Sequence, residues 1–500
     1  MNQHPTGRYP TSLIFKGLGA ALILLVTILV FNTIRFPSKQ MTPEKPDEIS
    51  FNLQKVADRL AGGLRFQTIS HQESDKLNPE AFFGFFRYLE EQFPLAHSVL
   101  EKEVVGELSL LYTWKGSNSQ LKPLILMSHT DVVPVESSIK KQWKYPPFSG
   151  TVAEGYIWGR GSLDVKGTLF ATMEAVEMMI SEGKTPQRTI YLAFGHDEEV
   201  GGKMGNAKIA DLLKQRGIQP VLVVDEGLPI VYNMIPGTSR PLAGIGIMEK
   251  GYLCLTLTVR EEGGHSSMPP RHTAIGILCE AVQRLENNQF PVSFDGPEKQ
   301  MFDYIAPEMS FPTRMLFANL WLFQPLIEKK LTSAPPSNAL LRTTTAVTMI
   351  EGGIKENVLP QKASATVNFR MRAGETIQTV LDHVRKTIDN PNIEITKTGF
   401  IEKKPTPMNN TESKSFQMMQ KTIHQIFPDA IVAPGIVVGG TDSQHYTGIS
   451  ENVLLFFPWR LTKEDLAGIH GVNERLSVEN YGEAIRFYHQ LIRNAAFSGT

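Results

Sequence analysis

Short apolar runs of strand length alternate along this chain with segments of helical spacing. Pro123–Ser128, Thr189–Phe194, Val221–Val224 and Val453–Phe457 read as buried strands, and Leu169–Ile180 and Lys208–Gln215 carry the helical period. That alternation predicts an α/β domain with a mostly parallel central sheet. Over 246–400 the pattern changes. A strand at Tyr252–Val259 and a helix near Thr273–Leu285 precede strands near Thr343–Ile350 and Ala363–Arg370. A helix near Ile377–Ile388 and a strand at Ile393–Thr396 complete a β-α-β-β-α-β order. The expectation is a second unit, 246–400, inserted into a catalytic domain formed by 51–245 and 401–500.

One run is different in kind. Gly17–Ile34 is 18 residues without a charge, near the lower limit for a helix crossing a bilayer. Arg8 and Lys16 precede it; Arg35, Lys39 and Lys45 follow, diluted by Glu44, Asp47 and Glu48. No A-x-A-like cleavage pattern follows, so an uncleaved anchor at 17–34 is expected, after a short tail (1–16) and before a linker (35–50). A cleaved secretory signal and a buried core helix are the rival readings. The charge bias puts the N-terminus inside and the catalytic part outside the cytoplasm, in a periplasmic, lumenal or extracellular space.

Length and composition narrow the chemistry. Five hundred residues with 41% hydrophobic content can build more than one sizeable core. Lys+Arg at 50 against Asp+Glu at 51 leaves no basic balance for a polyanion, so nucleic acid is not an expected partner. Two cysteines, Cys254 and Cys279, cannot build a disulfide framework or a thiolate zinc site. Any metal must be held by histidines and carboxylates.

Such residues gather where the buried runs end. Pro123–Ser128 leads into His129 and Asp131, which share one face of an extended segment. The carboxylate could fix the imidazole while its other nitrogen binds metal, although a histidine ending a strand is often only structural. Gly159–Gly167 (GRGSLDVKG) lacks a phosphate-loop pattern and presents Asp164 on a glycine-rich turn. Thr189–Phe194 leads to His196, Asp197, Glu198 and Glu199, acids that repel one another unless cations compensate. Of adjacent Glu198 and Glu199, one could bind metal and the other act as a base. Val221–Val224 ends at Asp225-Glu226, and His470 stands far downstream in IHGVNE. Each has a bland reading as a solvated turn. Together they put imidazoles and carboxylates at the carboxyl side of one sheet, where open α/β folds bind ligands. The donor set suits zinc, manganese or cobalt, and its size suggests two metals sharing a carboxylate.

SHTDVVP, GRGSLDVKG, HDEEVGG, VVDEG, GGHSSMPP, GGTDS and IHGVNE, in this order, resemble the metallopeptidase family of carboxypeptidase S, aminoacylase and acetylornithine deacetylase. WKYPPFSG, EKG, RTTTA, ENVLP and ATVNFRM look nearest to its carboxypeptidase S and N-fatty-acyl amino acid synthase/hydrolase branch. The resemblance implies a zinc-peptidase domain with an inserted lid that also serves dimerisation. It implies His129 and Asp225 on one zinc ion, Glu199 and His470 on a second, and Asp164 between them, with cobalt or manganese as substitutes. Asp131 would orient His129, Glu198 would be the general base, and His265 would stabilise the oxyanion, in dimeric relatives across to the partner's site. Asn357, Arg370, Gly440 and Thr441 match substrate-binding positions, Arg370 as a fork for a carboxylate. Val165 departs from close relatives that carry an acid there.

The implied substrate is a small N-acyl amino acid, including N-fatty-acyl forms, cut next to its free carboxylate, or condensed in reverse near equilibrium. A carboxypeptidase or dipeptidase is the alternative, and a non-catalytic binding protein the remote one. Met301–Leu331, rich in aromatic and aliphatic residues, reads as an acyl channel, a membrane-facing surface or core filling an enlarged lid.

Overall fold

The computed structural model describes residues 11–73, 76–232 and 238–497, so residues 1–10 of the expected tail lie outside the described residues. An eight-stranded sheet organises the fold. Its order is Glu101–Val105, Ser109–Trp114, Ile190–Gly195, Leu124–His129, Leu222–Val231, Val453–Leu461, Leu242–Glu249 and Ile431–Val437. The four central strands, from Ile190–Gly195 to Val453–Leu461, run parallel, and Ile431–Val437 is parallel to Leu242–Glu249. Antiparallel pairings occupy the other positions.

Alternation along the central strand explains its uninterrupted apolar sequence. Leu124 and Leu126 enter the main core with Phe170 and Ile485, whereas Ile125 and Met127 enter a second cluster with Ile209 and Leu213. Both faces are covered, as a parallel sheet requires. The helices Lys166–Ser181 and Val478–Ile492 pack together on one face, and Asn206–Gln215 covers the other.

A four-stranded antiparallel sheet stands apart in sequence, ordered Thr344–Gly352, Lys362–Met371, Gly251–Arg260 and Ile393–Lys403. Helices Ala274–Asn287 and Ile377–Ile388 supply the rest of its own core. The β-α-β-β-α-β order expected over 246–400 is therefore present, with extra helices between its first helix and second strand. A small ribbon pairs Gly264–His265 with Val358–Leu359.

The extra helices do not fill the lid core. Met301, Phe302, Tyr304, Ile305, Phe317 and Ile327 join the core of the large sheet, because Pro297–Ile305 packs on its edge strand Ile431–Val437. Helices Phe311–Ala318 and Leu320–Leu331 continue outward from there.

At the N-terminus, Thr11–Arg35 is one helix, of which Phe15–Arg35 is long enough to span a membrane and contains 18 consecutive residues with a mean hydropathy of 2.3. The stretch expected as a linker has no helix or strand through Ser50, yet it is strapped to the body. Gln40 donates to the Tyr304 and Val432 carbonyls at 3.2 and 3.0 Å, and its side-chain oxygen accepts from the Val432 amide at 2.8 Å. Gln420 and Gln425 donate to the carbonyls of Lys39 and Glu44, and Arg493 pairs with Asp47.

Candidate metal centre

His129 is the last residue of its strand and is almost fully buried. Its Nδ1 lies 3.0 Å from the Asp131 carbonyl oxygen and 3.2 Å from the Asp131 carboxylate, which frees Nε2 to face outward. Asp131 is itself completely buried. It accepts from the Ser70 hydroxyl at 2.6 Å and from the backbone amides of Glu198 and Glu199, each at 3.2 Å. Burial works to raise the Asp131 carboxyl, but the bonds from His129, Ser70 and the Glu199 amide hold it below the usual range. One carboxylate thus fixes both the imidazole and the turn that carries the two glutamates.

Asp164 occupies the middle. One of its oxygens lies 3.1 Å from His129 Nε2 and the other 3.0 Å from His470 Nε2, which is also 3.0 Å from Glu199. Two groups able to hold a cation result: His129, Asp164 and Glu226; and Asp164, Glu199 and His470. Asp164 is common to both groups. Burial, and then the Asp164 charge, raise the Glu199 carboxyl to about 7, while its bonds to Asp164 and Glu199 raise His470 to about 10.

The expected ligand Asp225 lies outside both groups, and Glu226, whose Oε1 is 3.7 Å from His129 Nε2, belongs to one of them. A bulge lies at this point of the strand. Leu455 pairs with Asp225 and the next residue, Phe456, with Leu228, so Glu226 and Gly227 are extra on their strand. Gly227 permits this, since a Cβ there would come within 2.4 Å of the Leu455 side chain. The strand runs on to Val231 instead of ending at the acidic pair.

Two buried oxygens, Glu199 Oε1 and Asp225 Oδ2, have no hydrogen-bond partner among the described residues. Burial and like charge also push Glu198 and Glu226 well above the usual carboxyl range. A thiolate-free set of imidazoles and uncompensated carboxylates fits divalent cations.

A cleft of about 230 Å³ opens beside this cluster. Glu198, Glu199, His470, Arg370, Gly440 and Thr441 line it, joined by Lys250, Tyr252 and Lys403. The Arg370 guanidinium lies 4.6 Å from the centre of the Tyr252 ring. Glu249 accepts from the Thr441 amide and hydroxyl, both at 2.8 Å, and pairs with buried Lys403. Burial, then the charges of Arg370 and Arg372, lower Lys250 to about 8. His265 and Asn357 are elsewhere. Both are exposed on the small ribbon, where the Ser266 amide donates to the Asn357 carbonyl, and neither lines the cleft.

Glu474 was in a quoted motif but carried no expected role. Fully buried, it pairs with Arg160 at 2.6 Å and accepts from the amides of Gly161, Leu163 and Asp164 at 3.1, 2.9 and 3.2 Å. It ties the loop of His470 to the loop of Asp164. Lys250 stood in the EKG stretch without an expected role, and Lys403, in a Lys403-Lys404 pair, gave no sequence signal.

Comparison with known proteins agrees with the expected resemblance. The profile of peptidase family M20/M25/M40 matches residues 125–494. The chain is 44% identical over 484 residues to probable carboxypeptidase S-like 2 of Dictyostelium discoideum, covering 95% of this chain and 92% of that one. It is 39% identical over 482 residues to N-fatty-acyl-amino acid synthase/hydrolase PM20D1 of Xenopus tropicalis, covering 95% and 93%. In fold it is similar to the M20 family metallo-carboxypeptidase Sso-CP2 of Sulfolobus solfataricus, with a TM-score of 0.64 at 20% identity over 88% of this chain and 98% of that one. By sequence, this chain belongs to peptidase family M20/M25/M40.

Proposed function

We propose that this protein hydrolyses the amide of small N-acyl amino acids, fatty-acyl ones included, next to the free carboxylate, and runs the reverse condensation near equilibrium. The observation that carries the reading is the shared Asp164 carboxylate beside a cleft containing both Glu198 and Arg370. His129, Asp164 and Glu226 would hold one ion, and Asp164, Glu199 and His470 the other; zinc suits the set, with cobalt or manganese as substitutes. When bound, the ions would polarise the amide carbonyl and make water nucleophilic near neutral pH.

The chain's own groups do the rest. Glu198, within the cleft and prone to hold a proton, takes one from the attacking water and passes it to the departing amine. Arg370, with Lys250 on the same walls, supplies positive charge for the amino-acid carboxylate. Gly440 and Thr441, set by Glu249, shape the floor beside it. His265 and Asn357, exposed on their ribbon, serve the oxyanion and substrate after lid movement or across a homodimer. The helix Phe15–Arg35 anchors the protein in a membrane, with the catalytic part outside the cytoplasm.

A carboxypeptidase or dipeptidase is the second reading, favoured by the relative named carboxypeptidase S-like 2. The full chain, loaded with zinc, would be given N-oleoyl, N-acetyl and dipeptide substrates ending in one amino acid, and release of that amino acid followed by mass spectrometry. Preference for the oleoyl compound supports the first reading. Preference for the dipeptide replaces it with the second, and no turnover by metal-loaded protein sinks both.

A further inference from the structure

The N-terminal helix does not stand free of the body. Its side chains are largely exposed from Phe15 to Ile28, and then Leu29 and Thr33 become buried. The cover comes from the helix Phe311–Ala318 and from Asn319, the residue between it and the helix Leu320–Leu331. Asn319, fully buried between those two, donates to the Leu29 carbonyl at 3.2 Å and accepts from the Asn32 side chain at 2.8 Å.

Just past Asn319 the surface turns apolar. Trp321 is 64% exposed, Leu322 41% and Leu326 55%, with Phe311 46% exposed at the start of the preceding helix. Exposed Lys329 and Lys330 close the run. Scattered exposed apolar residues are ordinary, but Trp321, Leu322 and Leu326 fall within one short stretch of a helix, and Phe311 stands on the helix packed against it.

The depth of this patch follows from helix geometry. From Phe15 to Arg35 the helix rises about 30 Å, the thickness of a hydrocarbon core. Leu29 and Asn32 stand three to six residues before Arg35, roughly 5–9 Å along the axis. That is about the depth at which interfacial helices bury their apolar faces.

We infer that the helices Phe311–Ala318 and Leu320–Leu331 lie in the bilayer interface beside the anchor, with Trp321, Leu322 and Leu326 at the acyl boundary and Lys329 and Lys330 at the headgroups. Tryptophan belongs at that level, and lysine stems reach from it to water. The inference rests on the anchor reading proposed above. What selects lipid over another occupant is continuity: the helix Phe311–Ala318 and Asn319 grip the span where it would leave the membrane, and the apolar helix Leu320–Leu331 starts from that grip and packs on its neighbour.

The test uses the full chain with Cys279→Ser, which removes the exposed thiol and leaves Cys254 buried. Single cysteines replace Leu322, Leu326, Leu22 in the anchor, and exposed Val104 on a distant edge strand. Each protein carries an environment-sensitive fluorophore in phosphatidylcholine–phosphatidylserine vesicles, and is quenched by doxyl lipids or by aqueous iodide. The labels at 322 and 326 should be quenched by doxyl lipid several-fold more than the label at 104, and shielded from iodide. If the label at 22 is quenched by lipid while those at 322 and 326 remain open to iodide, the docking is wrong and the anchor stands. Shielding of 322 and 326 from both quenchers means cover by a second copy and also overturns it. No lipid quenching at 22 removes the anchor reading and the docking with it. Retained hydrolase turnover in each labelled protein shows that it is folded.

Discussion

Glu474 and Arg160 form a fully buried ion pair at 2.6 Å, and the same carboxylate takes three amide hydrogens from the loop that presents Asp164. Removing one member of a buried pair costs about 3–5 kcal/mol, because the survivor is left unpaired. Glu474→Ala should therefore lower the denaturation midpoint sharply and reduce metal content, since the His470 and Asp164 loops lose their tie. Replacing both residues by apolar ones usually recovers such a loss. Here it should not, because three amides would remain without an acceptor. Urea unfolding of the single and double variants, alongside metal analysis, decides this.

Glu198→Gln keeps the shape of the turn and the backbone bonds to Asp131. Fold and metal content should stay near those of the parent, while kcat falls by about 10²–10⁴. Metal-loaded variant with near-parental turnover would remove Glu198 from the mechanism.

The bulge at Glu226 makes a test that separates neighbours. Glu226→Ala should lose one of the two ions proposed above, whereas Asp225→Asn should retain both. Metal-to-protein ratios after dialysis read the difference directly, and the opposite pattern would restore Asp225 as the ligand.

Lys250 gives the cleft a pH dependence. Its ammonium, which donates to the Ala339 and Arg342 carbonyls, is charged below about 8 and neutral above it, so positive charge along the cleft wall is lost as pH rises. KM for an N-acyl amino acid should rise through pH 8 with little change in kcat. Lys250→Met should show the raised KM at pH 7 and no step near 8. A step that persists in the variant would assign it to another group.

Much of this was legible in sequence because buried parallel strands announce themselves as apolar runs, and their carboxyl ends carried the acids and imidazoles. His129, Asp164, Glu199 and His470 stood in motifs, and the structure brings them within reach of one another. Glu226 was not separable from Asp225, since a bulge breaks the alternation on which face assignment depends. Glu474 carries no local signature, because its value lies in amides more than three hundred positions away. The helices of 297–331 were placed in the lid by their position in the chain, but tertiary packing on Ile431–Val437 moved them to the other core. His265 lies on an exposed ribbon, so its motif was readable while its partner surface was not.

The strap through Gln40 changes what the N-terminal helix can be. Sixteen free residues between a span and a globular body would let the body wander over roughly 20 Å. Bonds from Gln40, Gln420 and Gln425 remove that freedom. If the proposed anchor sits in a bilayer, the strap would make the enzyme a fixture instead of a tethered float, with its cleft kept near one height above the lipid. Amphiphilic substrates confined to the membrane plane would then reach it by two-dimensional search, and those in bulk water would have to come to that one place.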